Sequence, residues 1–469
     1  MGRKKNNQSK ILKNKIKPYK FQRKGIRQMK YKFDGRVLLA DDPGLGKTLQ
    51  SILAATRFRA KRPIIVVCPS GVKYQWEAEV KKLTRLNCWV LEGRKPPKRM
   101  PLELPAVIII NWEILPYWVA KLKRLKPRVI IGDEIHYAKN RKAKRSKALK
   151  KLSAGVKFIF FLSGTPFENN PIELFHSVNI LRPDIFQNAY AFGMRYCNPK
   201  YTPWGIKFDG ATRRKELRRI LLKHCMIRRT KEEVIKDLPR LTRTVVPLEI
   251  DRKKYKKAEK NIVRWLLKNK PEKAYKVRYI NQLAKLNYLL QLVSELKLKE
   301  TMKWIDNFLQ TSDEKLCVFG YHREFLEKLH KKYKKQAVLR YGNMTKKKRR
   351  EVLDKFIAKK KIRIFIGSIP AVGTGTDRLQ RVCSNMAVVE LIWTGVKLLQ
   401  VEGRLHRLGQ KNPVNIYYLV SEDTVESMLC KAIMKKQKDF NMIISGKKSS
   451  EDSEFDVLET ILKKLKKRS

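Results

Sequence analysis

From Val37 to Leu162, short apolar runs end in small or polar residues and alternate with stretches whose apolar positions recur at helical spacing. Five runs stand out: Val37 to Ala40, Ile64 to Cys68, Val107 to Ile110, Val129 to Ile131, and Phe158 to Leu162. The pattern returns at Leu316 to Phe319, Val338 to Leu339, Ile362 to Ile366, Ala387 to Val389 and Val414 to Val420. Strands alternating with helices twice over predict two α/β domains built on parallel sheets.

Between them, from about Pro183 to Lys303, the sequence turns helical, with Ile280, Leu283, Leu286, Tyr288, Leu290 and Val293 at helical spacing. The expected division is a basic arm without fixed structure over 1–17, a first domain over 18–182, a helical insertion and linker over 183–303, a second domain over 304–440, and an amphipathic basic helix over 441–469. In that last segment Gly446 ends one helix, and acids from Ser449 onward open another. Its apolar stripe is Phe455, Leu458, Ile461, Leu462 and Leu465, with acids in the first turn and Lys in the last, as a helix dipole favours.

Charge changes the picture. The 469 residues hold 108 Lys+Arg against 43 Asp+Glu, a formal net charge of +65. Hydrophobic residues make up 43%, enough for real cores, so this is not a disordered basic tail. A folded chain with a pI near 10.3 presents a cationic surface, and nucleic acid is the commonest polyanion to meet it; a lysine-rich coding bias is the competing explanation. The seven Cys form no CxxC pair, and the six His do not fall at metal-ligand spacing from them, so no zinc site is expected. The first 33 residues lack the apolar core of a signal peptide, Asn6 stands where a myristoylation signal wants Ser or Thr, and no 18-residue apolar run exists. The expectation is a soluble monomer in an intracellular, DNA-containing compartment.

The first run feeds Asp41-Asp42-Pro43-Gly44-Leu45-Gly46-Lys47-Thr48 and then a helical stretch, Leu49 to Arg57. Strand, glycine-rich loop and helix make a phosphate cradle: the backbone N–H groups of Asp42, Gly44, Leu45, Gly46, Lys47 and Thr48 converge on phosphate oxygens, Pro43 removing one donor, Lys47 reaches the β/γ phosphates of ATP, and the Thr48 hydroxyl ligates Mg²⁺. The strict pattern asks for Gly where Asp41 stands. Further on, Val129 to Ile131 delivers Gly132-Asp133-Glu134-Ile135-His136. There Asp133 would hold Mg²⁺ through its water shell, and Glu134 would orient and deprotonate the attacking water.

DDPGLGKT, DEIH, LSGTP from Leu162 and QVEGRLHRLGQ from Gln400 resemble, in order, the helicase motifs of superfamily two. More narrowly, the chain is similar to the SWI/SNF-related helicase-like ATPases over roughly residues 18–440, with wording nearest the annealing-helicase branch. That wording is CPSGVKYQW from Cys68, RYC and PWG at Arg195 and Pro203, MIRRTKEEVIKDLP from Met226 and HRLGQKNPVNIYYLV from His406. The resemblance implies two RecA-like domains, with Gln22 reading the adenine edge. It implies that His136, Ser163, Gly164, Thr165 and Gln400 couple the nucleotide to domain closure, and that Arg404 and Arg407, three apart on one helical face, are arginine fingers. It also implies DNA-backbone contacts at Pro69, Ser70 and Lys73, at Arg340 and Gly342, and at Gly373, Thr374 and Gly375. Here Thr376-Asp377-Arg378 follow where the family usually has Asn-Leu, and Pro43 replaces the usual Met. Trp76, Trp112 and Trp204 are read as packing residues rather than stacking platforms, and the runs Lys139 to Lys147 and Lys346 to Arg350 as partly solvated charge.

Together these point to an ATP- and Mg²⁺-dependent translocase on double-stranded or branched DNA, with RNA as a further ligand. The alternatives are a DExH strand-separating helicase, a chromatin or transcription-complex remodeller, and an inactive basic packaging protein. The long stretch before the second domain speaks against the first of these. The presence of Lys47, Asp133, Glu134, Arg404 and Arg407 speaks against the last.

Overall fold

The computed structural model describes residues 11–12, 17–58, 63–99, 103–203, 205–235, 238–260, 282–342, 344–372, 378–392, 395–426, 429 and 440–446. Those up to 235, with 440–446, make one compact unit, and 238–429 the other.

The first unit holds β1 (Arg36–Leu39), β2 (Ile64–Cys68), β3 (Cys88–Val90), β4 (Val107–Asn111), β5 (Val129–Asp133), β6 (Phe158–Leu162), β7 (Pro199–Thr202), β8 (Gly205–Phe208) and β9 (Met226–Ile227). Seven of them form a parallel sheet in the order β3-β4-β2-β5-β6-β1-β9, while β7 and β8 pair only with each other as an antiparallel hairpin. Alternate residues of each strand enter different cores because successive side chains of a strand point to opposite faces. Leu38, Ile65, Val67, Ile130 and Phe161 pack with Leu115, Trp118, Leu149, Leu152 and Leu174 from the helices Leu115–Arg124, Lys144–Ser153 and Ile172–Leu181. Val37, Leu39, Val66, Ile131 and Phe160 pack with Ile52, Leu53, Trp76 and Val80 from the helices Lys47–Phe58 and Lys73–Leu83. Helices on both faces are what let these strands be apolar throughout.

The second unit holds β10 (Leu241–Leu248), β11 (Leu316–Gly320), β12 (Ala337–Arg340), β13 (Ile364–Ser368), β14 (Asn385–Val388) and β15 (Val414–Ser421), a parallel sheet in the order β10-β15-β14-β11-β13-β12. Phe319, Phe365, Met386 and Ile416 face Leu292, Val293, Leu353, Phe356 and Leu398 on one side. Val318, Ile366, Ala387 and Leu419 face Ile305, Phe325, Leu326 and Leu329 on the other.

All ten apolar runs are strands, and two doubly covered parallel sheets bear out the expected fold class. The stretch expected as a helical insertion instead divides between the units. Its first part includes the β7–β8 hairpin and β9, which joins the first sheet beside β1, and its later part includes β10, which joins the second sheet beside β15. β9 has two residues, too few for a periodic signal, and Pro247 sits in β10, which is tolerated because β10 lies at the sheet edge. Tyr288, Leu290 and Val293 do lie on the helix Gln282–Leu296. The basic arm is not wholly without structure, since Leu12 bridges to Thr84 and the Arg85 N–H donates to the Ile11 carbonyl at 2.7 Å. Of the C-terminal segment 441–469, the described part is a π-helical turn, Asn441–Ser445, ending at Gly446 (φ +77°). Ile443 and Ile444, and Phe440 just before the turn, which was expected in the second domain, are buried in the first unit's core. The stripe from Phe455 to Leu465 lies outside the described residues, as do Trp204, Gly373, Thr374 and Gly375.

Candidate active site

The register of the first sheet assembles the site. Leu39 at the end of β1 is level with Leu162 at the end of β6, and Leu162 is level with Asp133 at the end of β5. Three neighbouring parallel strands therefore deliver the loop 41–48, the Asp133-Glu134 pair and Ser163 to one sheet edge, the edge where α/β folds bind ligands.

Gly44 and Gly46 take φ of +93° and +72°, which only glycine adopts without strain, and a Cβ on Gly46 would come within 2.5 Å of the Gln22 side-chain nitrogen. Gln22 is buried against the loop: its Nε2 donates to the Leu45 carbonyl at 3.2 Å, and its Oε1 accepts from the Tyr19 N–H at 3.0 Å. The Lys47 ammonium donates to the carbonyls of Asp41 (2.6 Å) and Asp42 (3.1 Å). Burial lowers its pKa, while Glu134, Asp41 and Asp42 pull the other way. Pro43 lies against Gly164, where a Cβ would meet the proline Cδ at 2.9 Å, so the proline packs the loop onto the Ser163-Gly164-Thr165 turn.

The two loop acids are buried and paired with an arginine doublet far along the chain. Arg229 Nε donates to Asp41 Oδ1 at 2.9 Å, and its Nη2 reaches Asp41 Oδ2 and Gln50 Oε1. Arg228 Nη2 lies 2.5 Å from Asp42 Oδ1, and the Lys231 N–H donates to Asp42 Oδ2 at 3.0 Å. Burial pushes the Asp42 carboxyl up, but Arg228, Lys231 and Lys47 hold it below its ordinary value. This accounts for the departure from the strict glycine pattern: an acid is accommodated at 41 because Arg229 and Gln50 satisfy it.

Asp133 is fixed by Trp76, whose Nε1 donates to Oδ2 at 2.8 Å, while Trp112 Nε1 donates to its carbonyl at 3.0 Å. Both tryptophans are core residues, as expected, and each also holds this carboxylate's strand end. Burial, reinforced by Glu134, pushes Asp133 up to about 7. Glu134 sits at φ +51°, in the left-handed region where a non-glycine residue is strained. Its Oε2 accepts from Ser163 Oγ at 3.2 Å and lies 3.2 Å from His136 Nδ1. His136 Nδ1 is in turn 3.3 Å from Ser163 Oγ, and the Thr165 N–H donates to that oxygen at 3.1 Å. Burial raises Glu134, but the hydrogen bond and charge of His136, with Lys47 and Ser163, outweigh it and leave the group below its ordinary value. His136 is raised because Glu134 outweighs its burial.

Thr48 and Asp133 offer a hydroxyl and a carboxylate, hard oxygen donors of the kind Mg²⁺ takes. No cluster of three or more His, Cys, Asp or Glu suited to a metal occurs among the described residues.

The DNA-facing expectations for the first unit meet a mixed outcome. Ser70 is exposed and Pro69 buried, and Lys73 turns inward, its ammonium donating to the Leu91 carbonyl at 2.8 Å with Glu92 at 3.9 Å. Lys139 is tied to Glu168 and Glu173 rather than solvated.

In the second unit Arg340 is fully buried at the end of β12, so it is not a surface cation, whereas a Cβ on Gly342 would meet open space. Arg404 and Arg407 are not on a helical face. The helix Gly395–Glu402 stops before them, and the chain continues as turns in which the Arg404 N–H donates to Val401 O, Leu405 and His406 both donate to Glu402 O, and Arg407 donates to Leu405 O. Glycines at 403 and 409, the latter at φ +89°, break the helix that the arginine spacing suggested. Glu402, at the helix end, is held by Arg243 (Nη2 to Oε2, 2.6 Å) and the Tyr418 hydroxyl (2.5 Å). His406 Nε2 lies 3.0 Å from the Pro239 carbonyl, and Gln410 Nε2 donates to the Cys383 carbonyl at 3.1 Å. Gln400 lies half-buried on the helix.

Sequence reading missed Arg228, Arg229, Gln50 and the tryptophan links. The RRTKEEV block was the only visible signal, and nothing in it indicates which acids it meets.

Two family models match the chain: the SNF2-related domain over residues 21–293 and the helicase conserved C-terminal domain over 297–409. Among curated proteins, the chain is 33% identical over 433 residues to the SWI/SNF-related matrix-associated actin-dependent regulator of chromatin subfamily A-like protein 1 of Xenopus laevis, covering 89% of this chain and 43% of that protein. It is 28% identical over 460 residues to the DNA annealing helicase and endonuclease ZRANB3 of Mus musculus, covering 93% of this chain and 41% of that protein. The chain thus spans less than half the length of these relatives. A solved structure, the Sulfolobus solfataricus SWI2/SNF2 ATPase core in complex with dsDNA, aligns over 96% of this chain and 98% of that one at 22% identity, with a TM-score of 0.44. No described helix is long and apolar enough to cross a membrane.

Proposed function

The chain belongs to the SNF2-related family of helicase-like ATPases, and on that premise we propose that it hydrolyses ATP with Mg²⁺, moves along duplex DNA and remodels or reanneals branched DNA in a DNA-containing compartment. The observation that carries this reading is the convergence of Lys47, Asp133, Glu134 and Ser163 on three neighbouring strand ends, each held by a partner of its own.

In this reading the backbone of 42–48 and the Lys47 ammonium bind the β and γ phosphates, and the Gln22 amide reads the adenine edge. Thr48 and Asp133 hold Mg²⁺, which when bound neutralises phosphate charge. Glu134, ionised because His136, Ser163 and Lys47 keep its pKa low, accepts a proton from the attacking water. Arg404 and Arg407 supply guanidinium charge to the transferred phosphoryl group. Ser70, Gly342 and the segment 373–375 contact the nucleic-acid backbone. The names of its relatives, a chromatin regulator-like protein and a DNA annealing helicase, support DNA as the substrate.

The test is ATP turnover by the full chain on duplex, forked and single-stranded DNA and on RNA at fixed salt. Duplex and forked DNA are expected to stimulate hydrolysis. Binding to all of them should be steeply salt-dependent, with a slope of about −0.9 per phosphate contact on duplex DNA. Equal stimulation by single-stranded RNA moves the assignment to a DExH helicase, and no turnover on any substrate moves it to a packaging protein.

A further inference from the structure

We infer that the segment 440–446, which comes after the second unit in the chain, is a positioning element of the phosphate-binding loop and acts through Ser445 and Arg228. This rests on the reading of 41–48 as the ATP loop.

The segment is built into the first unit. Phe440, Ile443 and Ile444 are buried in its core, and the Phe440 ring lies 5.3 Å from that of Phe167, two residues beyond Thr165. Ser445 is fixed on two sides. Its carbonyl accepts from Arg218 Nη2 at 3.1 Å, and its hydroxyl oxygen accepts from Arg228 Nη2 at 3.0 Å. The chain leaves through Gly446 in the left-handed region, where a Cβ would meet Arg218 Nε at 2.3 Å, so only glycine lets the segment seat this closely.

Arg228 carries the contact to the loop. The same Nη2 lies 2.5 Å from Asp42 Oδ1, and Nη1 donates to the Ala40 carbonyl at 2.7 Å, so one planar guanidinium joins Ser445 to the end of β1 and to the loop carboxylate. The Asp42 carbonyl is in turn an acceptor of the Lys47 ammonium. The Arg228 side chain is 6% exposed, so water offers little replacement for a lost acceptor. A guanidinium fork has fixed geometry: with the Ser445 oxygen gone, it rotates to recover an acceptor and carries Asp42 with it. A single π-helical turn, an uncommon device often found at functional sites, sets Ser445 at this point.

The experiment compares Ser445→Ala, Ser445→Thr and Arg228→Lys in the full chain. The readouts are KM for ATP and kcat on saturating duplex DNA, Kd for a fluorescent ATP analogue, and Tm. Ser445→Ala is expected to raise KM and Kd about threefold to tenfold, the size of one ordinary intramolecular hydrogen bond, with kcat within about twofold and Tm close to wild type. Ser445→Thr, which keeps the hydroxyl, should return both to near wild type. Arg228→Lys, which keeps the charge and loses the fork, should exceed Ser445→Ala. Wild-type KM and Kd in Ser445→Ala alongside raised values in Arg228→Lys would overturn the inference, leaving the segment as core packing. So would a loss confined to kcat and Tm, or equal impairment in the Ala and Thr variants. Absence of ATP binding by the wild-type chain overturns the ATPase reading itself, and the inference with it.

Discussion

Around the loop 41–48, charged side chains are met from far along the chain: Asp41 by Arg229, Asp42 by Arg228, Asp133 by Trp76. Around the turn 403–410, backbone hydrogen bonds to residues within a few positions set the shape, and His406 and Gln410 within it, with Glu402 just before it, tie it to the Pro239 and Cys383 carbonyls and to Arg243. The first region is a receptor whose groups are fixed in advance by long-range pairs. The second is a local turn that carries its two arginines past a helix end. Damage to the paired groups that hold phosphate and metal in the first should therefore alter what is bound and how tightly, Glu134 alone acting on the proton-transfer step, and damage to the second should alter turnover alone.

The largest expected effect breaks the second region. Arg407→Ala should lower DNA-stimulated turnover by roughly 10³-fold or more, the scale of an arginine finger, with ATP affinity close to wild type. Normal hydrolysis by this variant on saturating DNA removes the turn from the mechanism. Next, Glu134→Gln should lower turnover by about 10²-fold or more while ATP stays bound, because the change removes the proton acceptor and little volume. Equilibrium ATP binding and single-turnover hydrolysis measured on the same variant separate these two outcomes.

A finer test asks whether the long-range supports matter as supports. Trp76→Phe keeps most of the buried ring and deletes the donor to Asp133, so the Mg²⁺ concentration for half-maximal turnover should rise about tenfold, as when a partner behind a metal ligand is lost. An unchanged Mg²⁺ requirement would mean that Asp133 is held well enough by its strand.

The smallest effect concerns stability. Burial pushes His176, on the helix Ile172–Leu181, down to about 4, with its Nε2 3.0 Å from the Ser146 carbonyl. Its folded value lies below its unfolded one, so the unfolded chain binds the extra proton first. The contribution is complete above about pH 6.5 and is lost as pH falls toward 4, on the order of 3 kcal/mol at most. Urea midpoints measured across that window should fall less steeply for His176→Asn than for wild type.

Much of this molecule was legible in its sequence, and the reason is locality. A parallel strand buried on both faces needs a short unbroken apolar run, and each of the ten runs read this way between Val37 and Val420 is a strand. The loop and the Asp133-Glu134 pair were legible because each is contiguous and sits at a strand end, so order along the chain sufficed to bring them to one edge. β9 and β10 were not, since a two-residue strand has no period and the apolar residues of β10 are interrupted by Thr242, Arg243, Thr244 and Pro247. The arginine turn was misread because spacing three apart suits a helix, while the glycines at 403 and 409 end it. What only the tertiary structure decided is which charge meets which. In a chain with 108 basic residues, nothing local tells that Arg228 and Arg229 close on Asp42 and Asp41 or that Lys73 and Arg340 turn inward. Coulomb attraction carries no sequence label, and burial, which makes such a pair strong, exists only once the sheet and its helices have packed.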